Sequence, residues 1–175
     1  MTTVGHALTG LSIGVLCMPR RWSWAGKGVL LAAFAVLANV PDIPTHDHYR
    51  IRHSVFANGA GLLVLMLPLL LRADWRRRVG GWPVLIAAAA AVMSHLLLDS
   101  FYNHGRGIGI LWPMSGAPLV LPMPWFSTLP GQWELSPRVA RIVAIEAAFY
   151  GPILGVCAAL RWWLGQAGAA PAETK

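Results

Sequence analysis

His95 and Asp99 end the apolar run from Pro83 to Leu98, in the order Ser94-His95-Leu96-Leu97-Leu98-Asp99. Four residues apart on a helix, they stand one above the other on one face. An imidazole and a carboxylate one turn apart are well placed to share one metal ion. A buried hydrogen-bonded pair that fixes helix packing is the other use of the same spacing. Either way, ionisable groups inside an apolar segment are costly to bury and point to a role.

Zinc and similar divalent ions bind imidazole nitrogen and carboxylate oxygen, and catalytic sites keep a position for water. The bound water then loses a proton near neutral pH and can act as a nucleophile. The chain offers further donors in His6, Asp42, His48 and His53. Each also has a plainer reading. His6 near a helix start fits a satisfied interface histidine, Asp42 after Pro41 fits a turn or cap, and Ser54 beside His53 fits a simple helix cap. His48 is a candidate ligand or general base, and it joins Asp42 as a candidate catalytic residue. His46, Asp47 and His104 are candidates for outer support. Arg50, Arg52 and Arg106 could neutralise an anionic substrate or reach lipid headgroups.

The elements that must position these groups are apolar helices. The 175 residues are 56% hydrophobic and 12% charged, against about 25% charged in ordinary soluble domains. Mean hydropathy is +0.55. An integral membrane protein is therefore expected: an all-α, polytopic bundle of about five spans. The expected spans are Val4 to Met18, Gly28 to Val40, Val55 to Leu71, Trp82 to Leu98 and Ile142 to Trp163. The first two are short for a bilayer, and Gly5, Gly10 and Gly14 suggest close packing. Ser100 to Arg141 carries Pro113, Pro118, Pro122, Pro124 and Pro130 yet is apolar from Ile108 to Leu129. Such a stretch cannot be a regular span, so an interfacial or re-entrant cover is expected. Residues 1–164 form the membrane domain, and 165–175 read as a flexible cytoplasmic tail.

The net charge of +7 raises the question of nucleic acid. The arginines, however, sit in short clusters between apolar runs, as in membrane proteins, and no nucleic-acid partner is expected. Cys17 and Cys157 lie inside expected spans and suit packing, not a disulfide or thiolate site. No cleavable signal is recognised. Five spans put nine of the 14 Lys and Arg residues on the side of the 20–27 and 72–79 loops and the C-terminus, and five on the other. The positive-inside rule then puts the N-terminus outside and the C-terminus in the cytoplasm. All six histidines fall at the outer level. The tryptophans mark both interfaces as an aromatic belt. Glu146, inside the last span, either faces the bundle and reaches the site from below or pairs with Arg141 or Arg50.

Three motifs give the chain a resemblance. His6-Ala7-Leu8-Thr9-Gly10 is one, and Pro41-Asp42 followed by His48 and His53-Ser54 is another. Ser94-His95 with Asp99, then Gly105-Arg106-Gly107 and Pro113, is the third and most specific. Over roughly Gly5 to Pro124 the chain resembles the LexA-regulated, inner-membrane metal-dependent hydrolases, a family of small polytopic proteins. It departs from them at Tyr49, where arginine is usual, at Arg52, where threonine is usual, and at Pro44, in place of a second acid. The resemblance implies an inner-membrane, metal-dependent hydrolase. With the residues it supports His6, Asp42, His53, His95 and Asp99 as ligands of a divalent metal, zinc foremost. The expected reaction is cleavage of an ester or phosphoester, a lipid among the candidates, with membrane lipids as partners. A metal- or proton-coupled transporter using the same His/Asp cluster is the alternative.

Overall fold

The computed structural model describes residues 2–43, 52–102, 107–121, 123, 126–127 and 136–167. These form helices α1 (Thr3–Cys17), α2 (Trp24–Leu37), α3 (Val55–Leu71), α4 (Ala73–Arg78), α5 (Trp82–Ser100) and α6 (Pro137–Ala167), with a one-turn 3-10 helix at Val40–Asp42 after α2. Among the described residues there is no β-strand, only an isolated antiparallel bridge between Ile108 and Leu119. The fold is all-helical.

Serine and threonine side chains start most of these helices by accepting an otherwise orphaned backbone N–H. Thr2 accepts from Val4, Ser23 from Gly26, Ser54 from Ala57 and Ser136 from Val139. The Ser23 cap starts α2 before the expected Gly28, taking in Lys27. The Ser136 cap starts α6 before the expected Ile142, so Arg138 and Arg141 belong to the helix. α6 also runs on through Ala167, past the expected start of the tail.

α1 is the hub, packing on α2, α5 and α6. Gly10 and Gly14 let α2 come close. A Cβ at Gly10 would lie 2.2 Å from the Phe34 carbonyl oxygen and 2.9 Å from Ala38 Cβ, and one at Gly14 would lie 3.1 Å from the Phe34 ring. Leu30 and Phe34 of α2 pack there with Val84, Ala88 and Ala91 of α5. A second, aromatic cluster joins Tyr102, Phe126 and Tyr150, with Tyr102 and Phe126 stacked at 4.7 Å.

Two helices, α5 and α6, are long and apolar enough to cross a membrane. α1, α2 and α3 are apolar but have 15, 14 and 17 residues. At 1.5 Å per residue a 15-residue helix is only about 22 Å long, against a hydrocarbon core of about 30 Å. Large apolar side chains nonetheless face outward around the bundle, among them Val29, Val64, Ile86 and Val156. So extensive an apolar exterior suits lipid better than water.

The described residues of the proline-broken segment dock at one end of α5 and at the start of α3. Val55 N–H at the start of α3 donates to the Ile110 carbonyl, Leu121 N–H to that of Ser100, and Met123 N–H to that of Phe101. Ile108 is fully buried. Gly107 has φ +63°, and a Cβ there would lie 2.5 Å from Val120 Cγ2, so the turn requires glycine.

Candidate metal centre

Three segments meet at this end of α5. His95 and Asp99 project from the last turns of α5. Asp42 ends the 3-10 turn, which Pro41 helps to form after α2. His53 immediately precedes Ser54, the cap of α3, so the capping role and the site role fall on neighbouring residues instead of competing. Ser54 and the carbonyl of Arg52 are tied to α3 through Asn58, whose side-chain amide donates to both backbone carbonyls.

The donor atoms form a compact set. His53 Nε2 is 3.3 Å from Asp42 Oδ1 and 3.2 Å from Asp99 Oδ2. His95 Nε2 is 3.5 Å from Asp42 Oδ1, 3.4 Å from Asp99 Oδ2 and 3.3 Å from His53 Nε2. One ligand atom from each of Asp42, His53, His95 and Asp99 lies within 4.8 Å of the other three, so the four could hold a metal ion. Zinc bonds to nitrogen or oxygen of about 2.1 Å imply a tetrahedral edge of about 3.4 Å. The five separations just given centre on that edge.

His95 Nδ1 lies 2.8 Å from the carbonyl of Ala38 and donates to it. The other nitrogen, Nε2, faces two carboxylate oxygens and another imidazole nitrogen, so it donates to a carboxylate when the ring is protonated and offers a lone pair to a metal ion when the ring is neutral. Asp99 also stands at the C-terminal end of α5, where the helix dipole disfavours negative charge. A cation at the centre offsets that repulsion, and a carbonyl at the other nitrogen of a histidine ligand is the usual outer support of such sites.

The His53, His95 and Asp99 side chains are 2%, 0% and 3% exposed, while that of Asp42 is 43% exposed. Asp42 thus forms the open edge. Burial by itself would raise the carboxyl of Asp42, but its hydrogen bonds to His53 and His95 outweigh burial and hold it well below the usual carboxylate range. Burial would lower His53, but its hydrogen bonds to Asp42 and Asp99 outweigh that and raise the imidazole above its ordinary value.

His6 reaches the same place from α1 but stands outside the four-atom set. Its Nε2 lies 3.2 Å from Asp99 Oδ1, the oxygen turned away from His53 and His95. Its ring stacks on that of His95, and its Nδ1 has no hydrogen-bond partner among the described residues. His6 therefore orients the shared carboxylate. His46, Asp47, His48, Arg50, His104 and Arg106 lie outside the described residues. Arg52 is described, beside His53.

One support was not foreseen from sequence, and a second has partners other than those expected. The Ala38 carbonyl has no side-chain signature. Glu146, fully buried on α6, faces the bundle but reaches the start of α1 instead of an arginine. Its carboxylate accepts from the backbone N–H groups of Thr2 at 2.9 Å and Gly5 at 3.0 Å, and from the Thr2 hydroxyl. It satisfies orphaned donors at a positive helix end, one residue from His6.

The fold and site define an all-helical protein with apolar helices and a largely buried His/Asp centre that could hold a metal ion. The chain belongs to the YdjM inner membrane protein family, whose profile matches residues 1–166. No curated protein and no solved structure matches it.

Proposed function

We propose that this protein is a membrane-embedded, metal-dependent hydrolase of an ester or phosphoester, in keeping with the narrower LexA-regulated hydrolase grouping that its motifs resemble. The observation that supports this most directly is that three of the four clustered donors, His53, His95 and Asp99, are buried while the fourth, Asp42, is exposed. A catalytic site holds its ion with three protein ligands and keeps the fourth position for water, and His53, His95 and Asp99 supply those three when Asp42 turns to the water. Zinc suits a mixed nitrogen and oxygen donor set. When bound, the ion would supply Lewis acidity and a water acidified toward neutral pH. Asp42, at the open edge, is placed to orient that water, and His48 is our candidate for the base.

The proposed setting is five spans in the inner membrane, with α1, α2 and α3 in locally thinned bilayer. The N-terminus lies outside, the C-terminus in the cytoplasm and the site near the outer face, as the basic loops favour.

Elemental analysis of the purified protein, with hydrolysis of a chromogenic phosphodiester and a carboxyl ester, tests the reading. About one equivalent of zinc is expected, with turnover lost on chelation and in His95→Ala. Bound metal with ion flux in proteoliposomes and no turnover would favour the transporter. No metal and no turnover would leave an inert polar cluster.

A further inference from the structure

An apolar groove of about 370 Å³ runs along the outside of the bundle and ends beside residues that flank the candidate metal centre. α2 and α3 both pack on α5, and the groove lies between them. At one end its walls are Pro41, Arg52 and Val92. Pro41 adjoins Asp42, Arg52 adjoins His53, and Val92 lies one turn before His95. From there the groove follows α3 from Ala57 to Leu65, about 12 Å of helix at 1.5 Å per residue. Gly61 leaves its floor open, since a Cβ at that position would meet nothing within 4 Å. At the far end Leu65 is 61% exposed, beside exposed Leu63 and Val64, so the groove opens toward the apolar surroundings of the bundle.

We infer that this groove takes one acyl chain of an anionic glycerophospholipid, entering sideways from the bilayer between α2 and α3. Its size is that of a small-ligand site, and its lining is apolar except at the end next to the metal centre. That end carries the guanidinium of Arg52, whose five N–H donors can serve a lipid phosphate alongside a protein partner. The stretch along α3 is apolar and about 12 Å long, which suits an alkyl chain and not a compact polar substrate. With the chain in the groove, the glycerol esters and the phosphate of the lipid lie at the end where Asp42 opens the centre. The assignment of the lipid as substrate rests on the hydrolase reading. Occupancy of the groove does not.

The test uses the full chain, purified in detergent micelles, with a phosphatidylglycerol probe that carries a diazirine on one acyl chain. After photolysis, adducts are mapped by peptide mass spectrometry. Labelling is expected to concentrate between Ala57 and Leu65, to saturate with probe and to be displaced by unlabelled phosphatidylglycerol. Gly61→Leu should reduce labelling there at least fivefold with metal content unchanged, while Gly155→Leu on α6, also facing open space, should not. Labelling that rises linearly with probe, or that is equally dense on the outer face of α6 around Val156 and Leu160, would overturn the proposal. Saturation and displacement are read on the wild-type protein, so the result stands if Gly61→Leu fails to fold. Labelling needs no turnover. Saturable labelling without hydrolysis would therefore uphold the groove and count against the hydrolase.

Discussion

The imidazoles of His6 and His95 stack with centroids 3.7 Å apart and planes 12° from parallel. They come from opposite parts of the chain, the first turns of α1 and the last turns of α5. Both rings address Asp99, each through a different carboxylate oxygen. The two histidines thus divide one carboxylate between an oxygen that faces His53 and His95 and one that faces His6.

This division predicts different effects of two similar substitutions. His95→Ala removes a donor from the four-atom set and should bring bound metal well below one equivalent. His6→Ala removes only the outer partner of Asp99, so stoichiometry should hold while affinity falls roughly 10–100-fold. Chelator competition with elemental analysis separates the two. Equal loss of stoichiometry in both variants would make His6 a direct ligand.

The raised pKa of His53 fixes the sign of the pH dependence. In the metal-free protein the proton on His53 is held above its ordinary value of 6.5. Its contribution to stability is full below that value and is lost as pH rises through the raised one. Metal needs the neutral ring, so binding must expel this proton. Apparent affinity should rise with pH by up to about tenfold per unit through the region just above 6.5. Calorimetry in buffers of different ionisation enthalpy should show proton release at pH 7. Affinity independent of pH between 6 and 8 would contradict this.

Gly10 links helix packing to the site. A methyl group there would press on the Phe34 carbonyl and on Ala38, and Ala38 supplies the carbonyl that holds His95. Gly10→Ala should cost about 1–3 kcal/mol as an overpacked contact and should also weaken metal binding. Gly59→Ala on α3 meets open space and should instead stabilise by up to about 1 kcal/mol, through helix propensity. Thermal melts in detergent with and without metal measure both effects. A Gly10→Ala protein that melts like wild type would show that α1 and α2 are not held this close.

How much of this was legible in the sequence depends on whether a side chain or a backbone group did the work. The His95 and Asp99 spacing pointed to one helix face, and the limits of α3 follow from Ser54 before it and Arg72 after it. The starts of α2 and α6 were misplaced because Lys27, Arg138 and Arg141 look like loop residues, whereas Ser23 and Ser136 cap helices that include them. The short helix Ala73–Arg78 hid inside a basic cluster. The Ala38 carbonyl could not be read at all, since any residue at that position carries one. Glu146 was visible as a lone acid in an apolar span, but its partners are backbone N–H groups that leave no mark in sequence.

Glu146 gives the last prediction. Its carboxylate accepts three hydrogen bonds from the first residues of α1, and bonds to a charged acceptor contribute about 1.5–3 kcal/mol each. Glu146→Ala strands buried donors at the helix end and should cost at least about 3 kcal/mol, seen as a lower melting temperature. Glu146→Gln keeps one carbonyl acceptor but loses the charge at the helix dipole, and its cost should be smaller. Because Gly5 adjoins His6, both variants should also lower metal affinity while leaving His53, His95, Asp42 and Asp99 in place, so stoichiometry at saturating zinc should remain near one. A Glu146→Ala protein with wild-type melting and wild-type zinc affinity would show that the carboxylate does not anchor α1 at the site.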